Sequence, residues 1–135
     1  ALEDTEVCVL PYAQLDALTH EVGALGQHIR RLMSREIVRD HGLILLLGSM
    51  QAQERVAAFL MNLMLRMKDR GQSSTEVVLR MTRSDIGSYL GLQLETVSRV
   101  FSKLVQAGVI DAQQRHVRVL NWDRLSELAK PGHCD

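Results

Sequence analysis

Polar side chains recur between residues 95 and 102 at the spacing of one helical face. They are Glu95, Ser98, Arg99 and Ser102. Residues three or four positions apart lie on the same side of an α-helix, so these four would share a surface. A carboxylate, a guanidinium and small hydroxyls have the size and type that contact base edges in the major groove of DNA. The face therefore predicts a nucleic-acid contact. Its alternative is an ordinary helical hairpin with a solvated side.

The residues around this face fit a helix-turn-helix over residues 83–102. The inner positions of its two short helices are apolar: Ile86, Leu90, Val97 and Val100. Gly87 allows the second helix to approach closely, and Gly91 suits a left-handed turn because it has no Cβ. Thr82 is a natural N-cap for the first helix, and Asp85 completes a weaker form of the capping box. The spacing predicts two crossing helices that present the polar face outward.

Segments on either side extend the helix-turn-helix to a winged helix. The predicted elements are a helix over 51–68 capped by Ser49, a strand over 77–81, hairpin strands over 109–111 and 116–120 around a tip at Gln113 and Gln114, and a last helix over 122–129. Apolar periodicity and turn residues support each of them. The predicted fold class is mainly α with a small β component, in which a long dimerisation helix precedes a winged helix-turn-helix domain.

The long helical pattern covers residues 19–48, with Thr19 as its N-cap. Its seam positions are separated by steps of three or four residues: Val22, Leu25, Ile29, Met33, Ile37, Asp40, Ile44 and Leu47. Such spacing is typical of a coiled coil with one stutter. A helix of this length cannot bury the seam within its own small domain, so we expect the same helix of a second subunit to cover it. The alternative is packing against another domain of the same chain.

Asp40 is the charged member of this seam. Two copies that face each other across a two-fold axis would repel, and removing them from water adds a further cost. A weak point at this position would make dimerisation conditional on a second signal. The alternative is that Asp40 faces solvent or pairs with an arginine such as Arg39.

Charge is distributed unevenly along the chain. The 135 residues carry no formal net charge, yet residues 79–118 contain six basic and three acidic side chains, which leaves three net positive charges there. A locally basic module in a neutral chain suits a specific DNA-binding regulator. Residues that could contact DNA phosphates are Thr82, Arg83, Thr96, Ser102, Lys103, Arg115 and Arg118. Such contacts position a protein without specifying sequence. For the two wing arginines, the alternative is a solvated hairpin face.

Other functional classes find little support in the sequence. The five histidines are scattered, no nucleophile–base pair or phosphate loop occurs, and Cys8 and Cys134 belong to no zinc-type set, so we expect no enzyme. The apolar run 43–47 is too short to span a bilayer and no signal peptide opens the chain, which favours a soluble, cytoplasmic protein. The chain starts in mid-pattern without an initiator methionine, and we expect a fragment of a longer protein.

Five stretches carry a family resemblance: Met-Thr-Arg-Ser-Asp-Ile-Gly-Ser-Tyr-Leu-Gly-Leu (81–92), Leu-Glu-Thr-Val-Ser-Arg (94–99), Arg-Leu-Met-Ser (31–34), Ile-Leu-Leu-Leu (44–47) and Glu-Arg-Val-Ala-Ala-Phe (54–59). They resemble the C-terminal part of regulators of the CRP/FNR superfamily, and more narrowly the oxygen-responsive FNR branch. Cyclic-AMP-type members have Arg-Glu-Thr-Val-Gly-Arg in the second helix. Here Leu94 replaces the first arginine and Ser98 replaces the glycine, as in the FNR branch.

The resemblance implies an inverted repeat of TTGAT half-sites as the DNA target. Arg99 would donate two hydrogen bonds to guanine O6 and N7, and Glu95 would accept one from an exocyclic amine of cytosine or adenine. Ser98, with its short hydroxyl and Cβ, would lie against the thymine that distinguishes these sites. Glu95, Ser98 and Arg99 are therefore the expected base-contacting residues.

The resemblance also implies a cofactor in the full-length protein. Cys8 falls where FNR-type proteins place the last of four cysteines that hold an oxygen-labile [4Fe–4S] cluster. The other three ligands, together with a sensor β-barrel, would belong to an N-terminal region absent from this chain, so the fragment should hold no cluster. Without the resemblance, a lone cysteine in an apolar strand over 7–10 is expected to be a small buried hydrophobe.

Domain boundaries and partners follow from the same resemblance. Residues 1–18 would be the end of the sensor domain, with a strand and a short helix over 12–18, residues 19–48 the dimerisation helix, and residues 49–135 the DNA-binding domain. Ile37 and Asp40 fall on the oxygen-responsive part of the dimer helix. The surface that contacts RNA polymerase in this family corresponds to Met67, Arg70, Gln72 and Ser73.

Two alternatives remain open from the sequence. A related regulator could bind the same DNA and sense a nucleotide, nitric oxide or redox state. A winged helix could also serve as a protein-interaction module without DNA.

Overall fold

The structure is a computed structural model that describes residues 4–132, except the side chains of residues 39, 43 and 45–47. Six helices and a three-stranded sheet confirm the mainly α fold class. The elements are α1 (Tyr12–Glu21), α2 (Gly23–Ser49), α3 (Ala52–Asp69), β1 (Glu76–Val78), α4 (Arg83–Leu90), α5 (Leu94–Gln106), β2 (Ile110–Gln113), β3 (His116–Val119) and α6 (Trp122–Leu128). The chain divides into two compact units, one ending at Leu45 and the other beginning at Leu46.

The predicted strand over 7–10 is wrong. Residues 4–11 have no regular structure, and the side chains of Val7, Val9 and Leu10 are 75%, 84% and 71% exposed. An apolar run becomes a strand only where a neighbouring strand satisfies its N–H and C=O groups. The sheet in the described part of the chain consists of β1, β3 and β2. The run therefore has no strand partner among these residues.

The helix boundaries in the first unit also differ from the prediction. The short helix extends through Thr19, whose hydroxyl donates a 2.7 Å hydrogen bond to the backbone oxygen of Asp16 inside α1. Thr19 is therefore not the N-cap of the long helix. Val22 separates the two helices with an extended backbone (φ −119°), and α2 begins at Gly23.

The second unit contains a continuous apolar core. Strand β3 lies between β1 and β2 and pairs antiparallel with both. Alternate residues of β3 point inward, so Val117 and Val119 are buried while His116 and Arg118 are exposed. The helices add their apolar faces to the same core, whose largest fully buried side chains include Leu60, Met64, Leu79, Ile86, Leu90, Leu104, Ile110 and Leu125.

Two predicted boundaries of the second unit require correction. Helix α3 is capped by Gln51 rather than Ser49, because the Glu54 carboxylate accepts a 2.8 Å hydrogen bond from the Gln51 N–H. Glu54 is only 2% exposed, and it also accepts a 3.1 Å hydrogen bond from the Gly132 N–H. The first strand spans Glu76–Val78 instead of 77–81. Residues 79–81 connect this strand to Thr82, the N-cap of α4.

Candidate nucleic-acid interface

The first helix of the helix-turn-helix begins at a reciprocal cap. The N–H and the hydroxyl of Thr82 donate to Asp85 Oδ2 at 2.8 and 2.7 Å, and the Asp85 N–H donates to Thr82 Oγ1 at 3.2 Å. The hydrogen bond from the Thr82 hydroxyl, followed by that from its N–H, lowers the pKa of the Asp85 carboxyl, and the nearby charge of Arg115 adds to this effect. The predicted N-cap and capping box are confirmed.

The turn between α4 and α5 depends on two glycines. Gly91 has φ +63° and ψ +37°, a left-handed conformation that a residue without Cβ adopts at little cost. A Cβ on Gly87 would lie 2.5 Å from the backbone oxygen of Leu92, far inside van der Waals contact, and 3.6 Å from Val97 Cγ2. The close approach predicted at Gly87 is therefore made mainly to the turn and less to the second helix.

Helix α5 separates its apolar and polar residues cleanly. Its buried side is formed by Val97, Val100, Phe101 and Leu104. Glu95, Ser98 and Arg99 are exposed on the other side, as predicted. The guanidinium Nη2 of Arg99 donates a long 3.4 Å hydrogen bond to Thr96 Oγ1, and the Ser102 hydroxyl donates to the Ser98 backbone oxygen at 3.1 Å. The structure therefore places the three expected base-contacting side chains together on one open face.

Arg83 occupies a protected position. Its guanidinium carbon lies 3.3 Å from the centroid of the Phe101 ring, within the range of a cation–π contact. Burial lowers the pKa of the Arg83 guanidinium, which nevertheless remains charged at neutral pH. An open groove of about 450 Å³ adjoins this pair, and its lining residues are Arg83, Ser98, Phe101, Ser102, Val105, Gln106 and Ala112. No pattern in the sequence signals this contact, because the pairing joins two different helices.

The wing arginines differ in their surroundings. Gln114 turns the hairpin with φ +53°, and Arg115 follows it at the exposed tip. Arg118 lies on the outer face of the sheet, where its Nε is 2.6 Å from Glu76 Oε1, and His116 Nε2 lies 3.5 Å from Glu76 Oε2. Glu76 was missed by the sequence reasoning, since only the strand register places it opposite Arg118.

The remaining predicted phosphate contacts lie around α5. Ser102 and Lys103 are exposed and Thr96 is half-buried, while Thr82 is exposed at the start of α4. Together with Arg115 at the wing tip, they belong to the same unit as the base-contacting face.

The predicted dimer seam is largely solvent-exposed in the single chain. Exposed seam residues of α2 include Met33, Ile37, Asp40 and Ile44, with Ile37 at 55% and Ile44 at 65%. Leu25 and Ile29 are partly covered, and Val22 precedes the helix at 50% exposure. The side chain of Leu47 lies outside the described residues. Exposed aliphatic residues at this spacing leave an apolar surface that a partner helix could cover.

The expected polymerase-contacting residues surround the end of α3. Met67 is partly buried, whereas Arg70, Gln72 and Ser73 are exposed. The segment is ordered by its own hydrogen bonds: the Gln72 N–H donates to the Met67 oxygen at 2.9 Å, and the Glu76 N–H donates to Ser73 Oγ at 3.1 Å.

Cys8 is exposed, contrary to the expectation of a buried small hydrophobe. Residues 4–132 contain no group of three or more His, Cys, Asp or Glu side chains arranged to hold a metal. A [4Fe–4S] cluster takes four thiolates, and Cys8 offers one. The described residues therefore do not form a complete cluster site. Over the same residues, no helix combines the length and apolar character needed to cross a membrane.

Helices α4 and α5 with the hairpin β2–β3 define a winged helix-turn-helix protein. Residues 54–128 match the protein-family model of the Crp-like helix-turn-helix domain. The chain belongs to the CRP/FNR family.

Several curated proteins are similar to nearly the whole chain. The transcriptional regulatory protein btr of Bordetella pertussis is 48% identical, covering 99% of this chain and 55% of that protein. The transcriptional activator protein anr of Pseudomonas aeruginosa is 46% identical (96% and 53%), and the fumarate and nitrate reduction regulatory protein of Escherichia coli is 44% identical (98% and 52%). These relatives are regulators, in agreement with the expectation that the chain is not an enzyme. The chain spans about half their length.

Solved structures share the fold. FixK2 of Bradyrhizobium japonicum superposes with a TM-score of 0.77 at 33% identity, covering 90% of this chain and 60% of that protein. A CRP/FNR-family transcriptional regulator of Thermus thermophilus has a TM-score of 0.61 at 21% identity, covering 74% and 52%, which shows a common fold alone.

Proposed function

We propose that this chain binds double-stranded DNA as a transcription regulator, through an inverted repeat of TTGAT-like half-sites. The observation that carries the proposal is the open face of α5, where Glu95, Ser98 and Arg99 project from a helix whose opposite side is buried. The match to the Crp-like helix-turn-helix domain supports it. In such a motif the second helix enters the major groove.

Each residue has a distinct part in this contact. Arg99 supplies two parallel N–H donors for guanine O6 and N7, and Glu95 accepts from the amine of a cytosine or adenine. Ser98 is small enough to leave space for a thymine methyl group. Arg115 and the N-terminal end of α4, whose Asp85 is close enough for the Arg115 charge to act on it, approach the phosphates beside α5. These contacts fix the register of α5 in the groove.

Substitution of Arg99 tests this arrangement. We expect Arg99→Ala to weaken binding to a TTGAT palindrome by about 1–3 kcal/mol per half-site and to lose discrimination at the guanine position. Arg66→Ala, which removes an exposed arginine from α3, is the matched control and should leave both unchanged. If the Arg99 variant still distinguishes the guanine from its substitutes, the base-contact assignment is wrong.

A palindromic target requires two copies of α5, and we propose that the α2 seam supplies the homodimer. Ile37→Glu should place a charge in the interface and shift the chain to monomer in sedimentation experiments. Val38→Glu is the matched control, because Val38 is adjacent and 71% exposed but lies off the seam. Asp40→Ala should strengthen association. If Ile37→Glu and Val38→Glu shift the chain to monomer equally, the assignment of the α2 seam as the dimer interface is wrong.

Control by oxygen is proposed for the longer protein. Cys8 would provide one thiolate of a [4Fe–4S] cluster, with the other three from residues outside this sequence. The resemblance to the FNR branch implies that this cluster would respond to oxygen. An absorbance spectrum of the anaerobically purified full-length protein, before and after air, tests this, and Cys8→Ser should abolish the iron–sulfur absorbance. Absence of any air-sensitive absorbance would favour a regulator of the same fold that senses another signal.

Two further assignments complete the proposal. The surface of Met67, Arg70, Gln72 and Ser73 would contact RNA polymerase, and the protein would act in the cytoplasm, where DNA and polymerase are available. Variants of Arg70 that keep DNA affinity and lose activation of transcription in vitro would support the contact with RNA polymerase.

A protein-interaction module without DNA is the alternative from another class. A DNA complex that neutralises phosphates dissociates steeply as salt rises. Binding that is insensitive to salt would favour the alternative.

A further inference from the structure

The Arg83–Phe101 contact joins the two helices of the helix-turn-helix. Arg83 is the first residue of α4, and Phe101 lies in the second half of α5 with only 4% of its surface exposed. The guanidinium carbon is 3.3 Å from the ring centroid, so the cation lies directly over the face of the ring. Because the ring is fixed in the apolar core, it holds the arginine in one place.

Stacking leaves the donors of Arg83 available. The five N–H groups of a guanidinium lie in its plane and point away from its edges, so they are not consumed by a contact with one face. A free arginine side chain loses rotamer entropy when it binds a ligand. An arginine already held on a ring loses less, so its contact is preorganised.

The groove beside this pair suits an anion. Among its lining residues are one cation, Arg83, and no carboxylate, while Ser98, Ser102 and Gln106 follow one another at four-residue spacing along α5. The N-terminal end of α4 contributes partial positive charge to the same region, which the Asp85 carboxylate in its first turn offsets in part. A phosphodiester passing the start of α4 would meet the edge of the held guanidinium.

We propose that Phe101 is a positioning residue for DNA binding: its ring holds the Arg83 guanidinium at the wall of the groove, where Arg83 contacts a backbone phosphate. This inference rests on the proposed function. It assigns to a core side chain a role in affinity that is separate from its role in packing.

A double-mutant cycle separates the two roles. Phe101→Leu and Phe101→Met both keep an apolar side chain in the core and remove the ring face. In the chain with Arg83, we expect each to weaken binding to a TTGAT duplex about two- to fivefold per half-site, the range of a partly exposed cation–π contact. In the Arg83→Gln background, the same substitutions should change affinity by less than this. Arg83→Gln itself should reduce the salt slope by about one per half-site.

A second measurement examines the stack without DNA. The ring current of Phe101 should shift the Arg83 Nε–Hε NMR signal upfield, and the signal should move back in Phe101→Leu. Thermal unfolding of each variant shows which of them keeps the fold. If Phe101→Leu does not fold, Phe101→Met is used in its place.

The outcomes are distinguishable. If the Phe101 substitutions weaken DNA binding only in the chain that retains Arg83, the positioning role is supported. The positioning role is overturned if the Phe101 substitutions reduce DNA affinity equally with and without Arg83. It is also overturned if the Arg83 Nε–Hε chemical shift does not change when the ring is removed. Either result leaves the proposed function intact. Binding of the unaltered chain that does not depend on salt would overturn the proposed function and the positioning role together.

Discussion

Arg118 and Glu76 form an ion pair across neighbouring strands, with 2.6 Å between Nε and Oε1. The register also places Asp111 of β2 opposite Arg118 on its other side. The charge of Arg118 is therefore flanked by acidic residues of both adjacent strands. Arg115, at the tip of the same hairpin, instead lies close enough to α4 for its charge to act on Asp85. The two wing arginines thus have different electrostatic surroundings.

We expect the wing arginines to contribute unequally to DNA binding. Arg115→Gln should reduce the salt slope of DNA binding by about one per half-site, because the proposed phosphate contact is lost. Arg118→Gln should change the slope much less, and its loss of an exposed ion pair should change the free energy of unfolding by about 0–1 kcal/mol. Salt titrations of both variants against the same duplex provide the measurement. The reverse order of effects would contradict the assignment.

The Thr82 cap should contribute measurably to stability. Thr82→Ala removes the hydroxyl that accepts from the Asp85 N–H and donates to the Asp85 carboxylate. We expect a decrease of about 1 kcal/mol in the free energy of unfolding, the usual effect of removing an N-cap. Thr82→Ser keeps both hydrogen bonds and is the control. Urea denaturation of the two variants compares them directly, and equal stability would rule out the cap.

The same cap predicts a dependence of stability on acid. The pKa of Asp85 is lowered in the folded chain from an ordinary value of 3.8, chiefly by the Thr82 hydroxyl. A lowered carboxyl pKa stabilises the folded state above the ordinary pKa, and the contribution is lost as pH falls from there through the folded pKa. Asp85→Asn should therefore differ most from the unaltered chain at neutral pH and least in acid. Denaturation at several pH values measures the difference, with Asp69→Asn as the control for losing one carboxylate.

Gly87 should tolerate no side chain. Gly87→Ala places a Cβ against the Leu92 backbone oxygen, and the turn must move because backbone cannot rotate away. We expect a loss of about 1–3 kcal/mol in the free energy of unfolding, typical of overpacking. Ser88→Ala, at the exposed neighbouring position of α4, should stay within about 0.5 kcal/mol. If thermal or chemical denaturation shows that the two substitutions lower the free energy of unfolding equally, the close approach of Gly87 to Leu92 is contradicted.

Local signals were sufficient for the winged helix. The Thr82 cap, the Gly91 turn and the hairpin around Gln114 each depend on residues a few positions apart, so their residue types predicted them. The order of the strands β1, β3 and β2 did not follow from any single segment, because it depends on pairing between residues about forty positions apart, such as Glu76 and Arg118.

For the predicted strand over 7–10, the missing information was tertiary. An apolar run such as 7–10 has the composition of a strand, but strand formation also requires a pairing partner, and composition does not specify one. Phe101 was not singled out in the sequence analysis of α5. Its contact with Arg83 depends on how two helices cross, which no periodicity encodes.

The contact between Gly87 and the Leu92 carbonyl has an evolutionary consequence. The spacing between α4 and the turn is set by a missing side chain and a backbone atom. Exchanges at exposed positions such as Leu94, Glu95 and Ser98 therefore leave this spacing unchanged. Under the proposed function, one scaffold can in this way bind new DNA sequences after a few surface residues change, while its fold stays the same.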